Sequence, residues 1–239
     1  VLAKVIIIGA TSGIGKALAE VYANQGFEVG ITGRREEILD ELKNELPTKV
    51  YVKTMDIRNT ELASKGLEEL IGEMQEVDII ILNAGVGKVN WSLDLDLELN
   101  TLKTNVMGFT TMCNVAMQYF LSQGKGHLAG VSSIAGIRGL GGAPAYSASK
   151  AFIINYLESL RAIVFRRKAK IIITNIQPGF VDTNMGQASE FWRISPQAAA
   201  KQIYRAIKDK EKQVYVSSRW RFIAYLLKVL PGWIIKRIG

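Results

Sequence analysis

Tyr146 and Lys150 stand four residues apart in AYSASKAF (145–152), a run of helical character with only small residues between them. At that spacing two side chains are neighbours on one face of a helix. An ammonium beside a phenol favours the phenolate and lowers a pKa that otherwise lies near about 10. A phenol tuned in that direction is a general acid or base. Standing alone, the same pair is equally a solvated contact between successive turns. Ser133 ends HLAGVSS (127–133), thirteen residues before the tyrosine, with Ser132 beside it. Asn105 falls inside a long helical stretch, where asparagine is a poor helix former.

A second constellation opens the chain. The apolar run KVIIIG (4–9) leads directly into Gly9-Ala-Thr-Ser-Gly-Ile-Gly15. Glycines there permit a tight turn and close approach of backbone to a phosphate, with a helix N-terminus facing the anion. A Walker A loop is excluded, because Lys16 is followed by Ala17 and the preceding glycine spacing is wrong. A turn of this kind after a first strand points to a dinucleotide.

The elements that must position these groups alternate. Candidate strands are 4–9, 27–32, 49–54, 77–82, 127–133, 170–176 and 213–217; helical stretches fill 13–25, 35–46, 60–74, 94–122, 147–168 and 196–210. Continuous β-branched strands without polar alternation suit a parallel sheet covered on both faces. The order predicts a single α/β domain over 1–239, a Rossmann-like doubly wound parallel sheet of about seven strands. Residues 217–239 form an amphipathic, basic C-terminal extension.

Composition narrows the chemistry. The chain has 239 residues, 48% of them hydrophobic, enough for one core. Its one cysteine, Cys113, rules out an internal disulfide, and its one histidine, His127, rules out multi-histidine metal sites. Cys113 reads as packing, His127 as a strand-edge residue, and no metal is expected. From residue 201 onward ten Lys/Arg face only Asp209 and Glu211, which equals the whole net charge of +8 and leaves residues 1–200 balanced. The basicity belongs to the tail and carries no signal for nucleic acid. VLAKVIIIGA lacks the basic n-region of a signal peptide and reads as a first strand, so a cytoplasmic protein is expected.

Gly9–Gly15, Leu82-Asn-Ala-Gly85, Asn105, Val131-Ser-Ser133 and Tyr146-Ser-Ala-Ser-Lys150 occur in order over roughly residues 3–216. Together they resemble the short-chain dehydrogenase/reductase (SDR) family in its compact single-domain branch. The resemblance implies that Tyr146 exchanges a proton with the substrate oxygen. Lys150 lowers its pKa and holds the nicotinamide ribose, and Ser133, favoured over Ser132 by spacing, donates to the substrate oxygen. Asn105 anchors a water that relays protons to the lysine. It further implies dinucleotide contacts from Gly9, Thr11, Ser12, Gly13, Ile14 and Gly15, from Asp56 with Ile57 at the adenine edge, and from Asn83, Ala84 and Gly85. Pro178 and Gly179 would embrace the nicotinamide, with Thr183 bonding its carboxamide; as a bare dipeptide, Pro178-Gly179 is equally a strand-ending turn.

A site that prefers NAD places an acid at the end of the second strand, on the ribose 2′-OH. Here that strand ends in ITGRREE, with Gly33 in the acid's place and Arg34 next. A guanidinium suits a 2′-phosphate, so the expected cofactor is NADP(H). Arg35 either assists or is a solvated first-turn residue. Some NADP-using relatives also carry a basic residue inside the glycine turn, where this chain has Ser12.

The expected function is hydride transfer between NADP(H) and a carbonyl/alcohol pair; the alternative is a dinucleotide-binding regulator without turnover. Met185, Phe191 and Trp192, with Gly186 for flexibility, suggest an apolar lid over the substrate. Ile137 and Leu140 are candidates for another wall, so a hydrophobic or bulky substrate is expected. A homodimer or homotetramer is the usual state of the family. In the tail, Trp220, Ile223, Ala224 and Leu227 share one helical stripe, and Arg221, Tyr225 and Lys228 another. Residues 217–239 either pack over the pocket or a subunit interface, or make weak peripheral contact with a membrane.

Overall fold

The computed structural model describes residues 2–139, 141–183 and 192–234. Seven strands form one sheet: β1 (Lys4–Ile8), β2 (Glu28–Gly33), β3 (Val50–Thr54), β4 (Ile79–Leu82), β5 (Lys125–Val131), β6 (Lys170–Pro178) and β7 (Gln213–Val216). The spatial order is β3-β2-β1-β4-β5-β6-β7, and every pairing is parallel. The helices are α1 (Gly13–Asn24), α2 (Glu36–Glu45), α3 (Thr60–Met74), α4 (Leu95–Leu102), α5 (Phe109–Gln123), α6 (Pro144–Arg166), α7 (Pro196–Lys208) and α8 (Trp220–Val229).

Successive strand residues point to opposite faces, so the β-branched runs feed two cores. Ile6, Ile8, Ile80, Leu82 and Leu128 pack with α3, α5 and α6, through Leu67, Leu70, Phe120, Ile153 and Leu157. Val5, Ile7, Val29, Ile31 and Ile81 pack with α1, α2 and α7, through Leu18, Leu39 and Ile203. Truncating one such fully buried residue to alanine costs about 2–5 kcal/mol. Strand order reverses between β1 and β4, and the crevice at the carboxyl ends there is where an open α/β sheet binds ligands.

Two elements differ from the sequence expectation. The single helix of 94–122 is α4, a π-helical turn at Lys103–Gly108, and α5. Asn105 sits in the wide turn, as π-turns commonly do at functional sites. The helix expected from 147 starts at Pro144, because proline's missing N–H is no loss in a first turn. Tyr146 therefore lies in the first turn of α6.

Candidate active site

β5 ends at Val131 in the centre of the sheet, and the two serines follow it. Ser132 Oγ donates to Asn175 Oδ1 at 2.6 Å and to the Ile176 carbonyl at 3.1 Å, which ties the strand end to β6. Ser133 accepts from the Ala135 amide at 3.1 Å and starts a 3₁₀ turn, Ile134–Gly136. That turn packs on α6 so closely that a Cβ at Gly136 would stand 2.5 Å from the Lys150 carbonyl carbon. The Ser133 hydroxyl points to the Pro178 carbonyl at 3.4 Å and lies close enough to Tyr146 to lower the pKa of its phenol. The structure thus separates the serines: Ser132 is structural and Ser133 meets the phenol.

Tyr146 is half-buried, its ring lying against the backbone of Gly87, where any side chain would collide with it. Burial raises its pKa, and the Ser133 hydroxyl partly offsets this. The expected lowering by Lys150 is not among the causes. Lys150 Nζ stands 5.7 Å from the ring centroid and donates to the Val131 carbonyl at 3.0 Å. Only 3% exposed, Lys150 has its own pKa pushed down to about 8 by burial.

Asn105 is fully buried. Its Oδ1 accepts from the Val86 amide at 2.8 Å, and its Nδ2 donates to the Val86 carbonyl at 2.7 Å and to Ser149 Oγ at 3.0 Å. Ser149 in turn donates to the Tyr146 carbonyl at 2.8 Å. A chain of bonds thus runs from the π-turn to the first turn of α6. A Cβ on Gly85 would lie 3.2 Å from Lys150 Nζ and 3.3 Å from Asn105 Oδ1, so a side chain there would press on both. Sequence reasoning missed Val86, Gly87 and Ser149. Ser149 was discoverable as the hydroxyl three residues after the tyrosine; Gly87 carries no sequence signal beyond following Asn83-Ala-Gly85.

The glycine turn fits a dinucleotide diphosphate. Gly9 has φ +89° and presses on Ala84, while Asn83 Nδ2 donates to the Gly9 carbonyl at 2.7 Å. Gly15 is in contact with the Gly9 carbonyl, leaving no room for a side chain. Ser12 caps α1 with extended backbone and no side-chain bond, and the first turn carries no acid. The amides of Gly13, Ile14 and Gly15 are thus open to an anion at the positive end of the helix. By contrast, α3, α4 and α7 are capped by Asn59, Asp94 and Ser195.

Around this turn the remaining residues divide. Arg35 donates to the Thr11 carbonyl at 3.0 Å and to its hydroxyl at 2.8 Å, so it clamps the turn to α2, while Arg34 is exposed. A Cβ on Gly33 would meet Thr11 Cγ2 at 2.5 Å. Arg58 grips both oxygens of Asp56, at 3.0 and 2.9 Å from Nε, and reaches Asn100 Oδ1 at 3.0 Å. That grip is the main reason the Asp56 pKa is lowered. Ile57 is buried with its carbonyl against Gly108. Thr183 Cγ2 would stand 2.8 Å from a Cβ on Gly13, so the segment after β6 returns to the glycine turn.

Pro178 is the last residue of β6, and the Gly179 amide donates to the Val216 carbonyl at 2.7 Å. Gly179 lies under the Trp220 indole, whose ring is edge-on to Phe180 at 5.5 Å and to Trp192 at 5.8 Å. Arg138 Nη2 donates to the Leu230 carbonyl at 2.7 Å. The described part of the tail therefore packs on Gly179, just after β6, and on Arg138. Ile137 is half-buried, and Leu140, Met185, Gly186 and Phe191 lie outside the described residues. His127 and Cys113 are buried away from these groups, the thiol pushed upward by burial. Among the described residues no group of three or more His, Cys, Asp or Glu is placed to hold a metal.

The model of the short chain dehydrogenases matches residues 3–193. An uncharacterized oxidoreductase of Mycobacterium tuberculosis is 31% identical over 247 residues, covering 99% of this chain and 97% of that protein. The NADP-dependent 3-hydroxy acid dehydrogenase YdfG of Escherichia coli (strain K12) is 30% identical over 187 residues, covering 74% and 72%. Among solved structures, a short chain dehydrogenase/reductase from Burkholderia phymatum in complex with NAD superposes with TM-score 0.87 at 19% identity, covering 94% and 92%. The closed form of serine dehydrogenase complexed with NADP+ gives TM-score 0.79 at 25% identity, covering 88% and 92%. A match of that extent, on a sheet whose switch point carries an open glycine turn, makes this chain a member of the short-chain dehydrogenase/reductase family, oxidoreductases that bind a nicotinamide dinucleotide.

Proposed function

We propose that the protein is an NADP(H)-dependent oxidoreductase acting on a carbonyl/alcohol pair, with Tyr146 as general acid/base. The observation that carries this reading is the convergence of Ser133, Tyr146 and Lys150 at the end of β5, with Lys150 Nζ 5.7 Å from the centre of the phenol ring and bonded to the Val131 carbonyl. A bound nicotinamide would supply the hydride in reduction and accept it in oxidation. As a carbonyl oxygen gains charge, Tyr146 gives it the phenolic proton and Ser133 donates a second hydrogen bond. Lys150, still charged at neutral pH with a pKa of about 8, stands 5.7 Å from the centre of the phenol ring, the nearest position for a cation to a phenolate left behind. Ser149 and Asn105 hold the first turn of α6 at the proper distance.

Exposed Arg34 beside Gly33, with no acid at the end of β2, supports NADP(H) over NAD(H). Relatives named for NADP use, YdfG among them, support the same choice, and YdfG's 3-hydroxy acids are the first substrate class to assay. The apolar surface of Trp192, Phe180 and Ile137 supports a hydrophobic or bulky substrate. Exposed Trp91, Leu95, Leu99 and Met107 support a homo-oligomer. Outward-facing Phe222, Tyr225, Val229 and Trp233 with Arg221 and Lys228 support weak peripheral membrane contact by an otherwise cytoplasmic protein. Sedimentation with anionic vesicles at low and high salt tests that contact.

The catalytic reading is tested by Tyr146→Phe, assayed with NADPH against 3-oxo acids, ketones and aldehydes. Turnover should fall about 10²–10⁴-fold while NADPH still binds by fluorescence titration. A variant with near-normal turnover overturns the role of Tyr146. A wild-type chain that binds NADPH and reduces none of these carbonyls favours the regulator.

A further inference from the structure

The catalytic groups occupy the carboxyl ends of the strands; a different cavity opens at the amino ends. It has a volume of about 400 Å³ and lies on the face covered by α1 and α7. His127, third residue of β5, shares that face with Ala129 and Val131. Six residues of extended chain separate it from Ser133, a distance of about 20 Å.

One wall is aromatic. Tyr22 meets Phe27 edge-on at 5.0 Å and Tyr204 edge-on at 5.2 Å. Ile79, Ile172 and Ile207 extend the apolar lining. Tyr22 is 1% exposed, and its hydroxyl makes no hydrogen bond among the described residues. That hydroxyl is enclosed by protein, so Tyr22 offers the cavity its ring and not its polar end.

The rim is cationic. Lys170, Lys208 and Lys210 line the cavity, and none of them pairs with a carboxylate among the described residues. Asp78, the one carboxylate in the lining, accepts from the Lys4 amide at 2.9 Å. His127 adds no charge. Thr174 gives its proton to the Glu211 carbonyl at 2.5 Å, so His127 donates to Thr174 through Nε2 at 2.8 Å. Burial first, and the charge of Lys210 second, hold its pKa down at about 4.

We propose that this cavity is a second ligand site, separate from the catalytic one, for a small apolar carboxylate. Its acyl or aryl body lies against Tyr22, Phe27 and Tyr204, and its carboxylate faces Lys170, Lys208 and Lys210. The aromatic wall removes apolar area from water, and the lysines supply charge-assisted contacts.

His127 is the only histidine in the chain, so its imidazole carbon–proton signal in an NMR spectrum reports this cavity alone. Octanoate, added to the full-length protein saturated with NADP+, should shift that signal saturably in the millimolar range. Acetate, which lacks the apolar body, and octanamide, which lacks the charge, should shift it far less. A Lys208→Glu/Lys210→Glu double variant should bind octanoate at least about tenfold more weakly, the loss of one charge-assisted contact, with an unchanged circular dichroism spectrum. The proposal is overturned if octanoate leaves the His127 signal unmoved, if acetate or octanamide matches it, or if the double variant binds octanoate as tightly as wild type.

Discussion

Lys150 Nζ donates to the Val131 carbonyl at 3.0 Å and lies 5.7 Å from the centre of the Tyr146 ring. One helical turn puts both side chains on a common face, but the end of β5 takes the ammonium. No carboxylate pairs with it among the described residues. Lys150 is a buried cation, and its fixed position beside the phenol comes with an electrostatic penalty on the fold.

That penalty has a definite pH dependence. In the unfolded chain the lysine titrates at its ordinary 10.5, and in the folded chain at about 8. Between those values the unfolded chain binds more protons, so stability rises with pH; below about 8 the penalty is at its full size, on the order of 3 kcal/mol. Lys150→Met removes the titrating group. The Tm of the wild-type chain should therefore climb relative to the variant from about pH 8 to 10, measured by calorimetry on both without cofactor. A gap that stays constant with pH would mean the ammonium is well solvated in the fold.

Ser133→Ala removes the hydroxyl that opposes the effect of burial on the Tyr146 pKa. The phenol pKa should rise further, which hinders formation of the phenolate. Alcohol oxidation needs the phenolate and carbonyl reduction the phenol, so oxidation at neutral pH should fall by more than reduction does. Its alkaline rise should move to higher pH. Rate profiles in both directions test this; equal losses with unmoved profiles would reduce Ser133 to a cap on the 3₁₀ turn.

Legibility from sequence followed the range of the contact. Parallel strands buried on both faces leave continuous β-branched runs, so all seven were readable, with no end displaced by more than two residues. The Tyr146–Lys150 spacing was readable because it is local. Its partner was not, since the Val131 carbonyl reaches Lys150 only when β5 and α6 pack. The π-turn at Asn105 is hidden in an apolar pattern that a uniform helix satisfies equally well. Arg35 on Thr11 joins residues 24 apart, and Trp220 on Gly179 depends on the tail folding back over β6.

The two adjacent arginines should behave differently. Arg34 is exposed beside the glycine turn, whereas Arg35 donates twice to Thr11. Arg34→Ala should weaken NADPH binding about tenfold or more and leave NADH nearly unchanged, since only NADPH carries the 2′-phosphate. Arg35→Ala should loosen the turn and weaken both cofactors alike. Titration of each variant with both dinucleotides separates these outcomes. Equal weakening in Arg34→Ala would remove Arg34 from cofactor selection.

Trp220 binds the C-terminal helix to the site. It is 3% exposed, and the only other fully buried side chain of α8 is Ala224. Its indole covers Gly179 and meets Phe180 and Trp192 edge-on. A large-to-small change at such a position costs about 3–5 kcal/mol, more than a ten-residue helix with one other small anchor can hold. Trp220→Ala should therefore release α8 locally: amide exchange over 220–229 should approach the unprotected rate, while β1, β4 and β5 stay protected. With Gly179 and Phe180 uncovered, the substrate KM should rise more than the dissociation constant for the dinucleotide, whose glycine turn follows β1, separated from β6 in the sheet by β4 and β5. Retained protection across α8, or equal weakening of substrate and dinucleotide, would show that Arg138 on Leu230 and the outer face of the helix hold it without the indole.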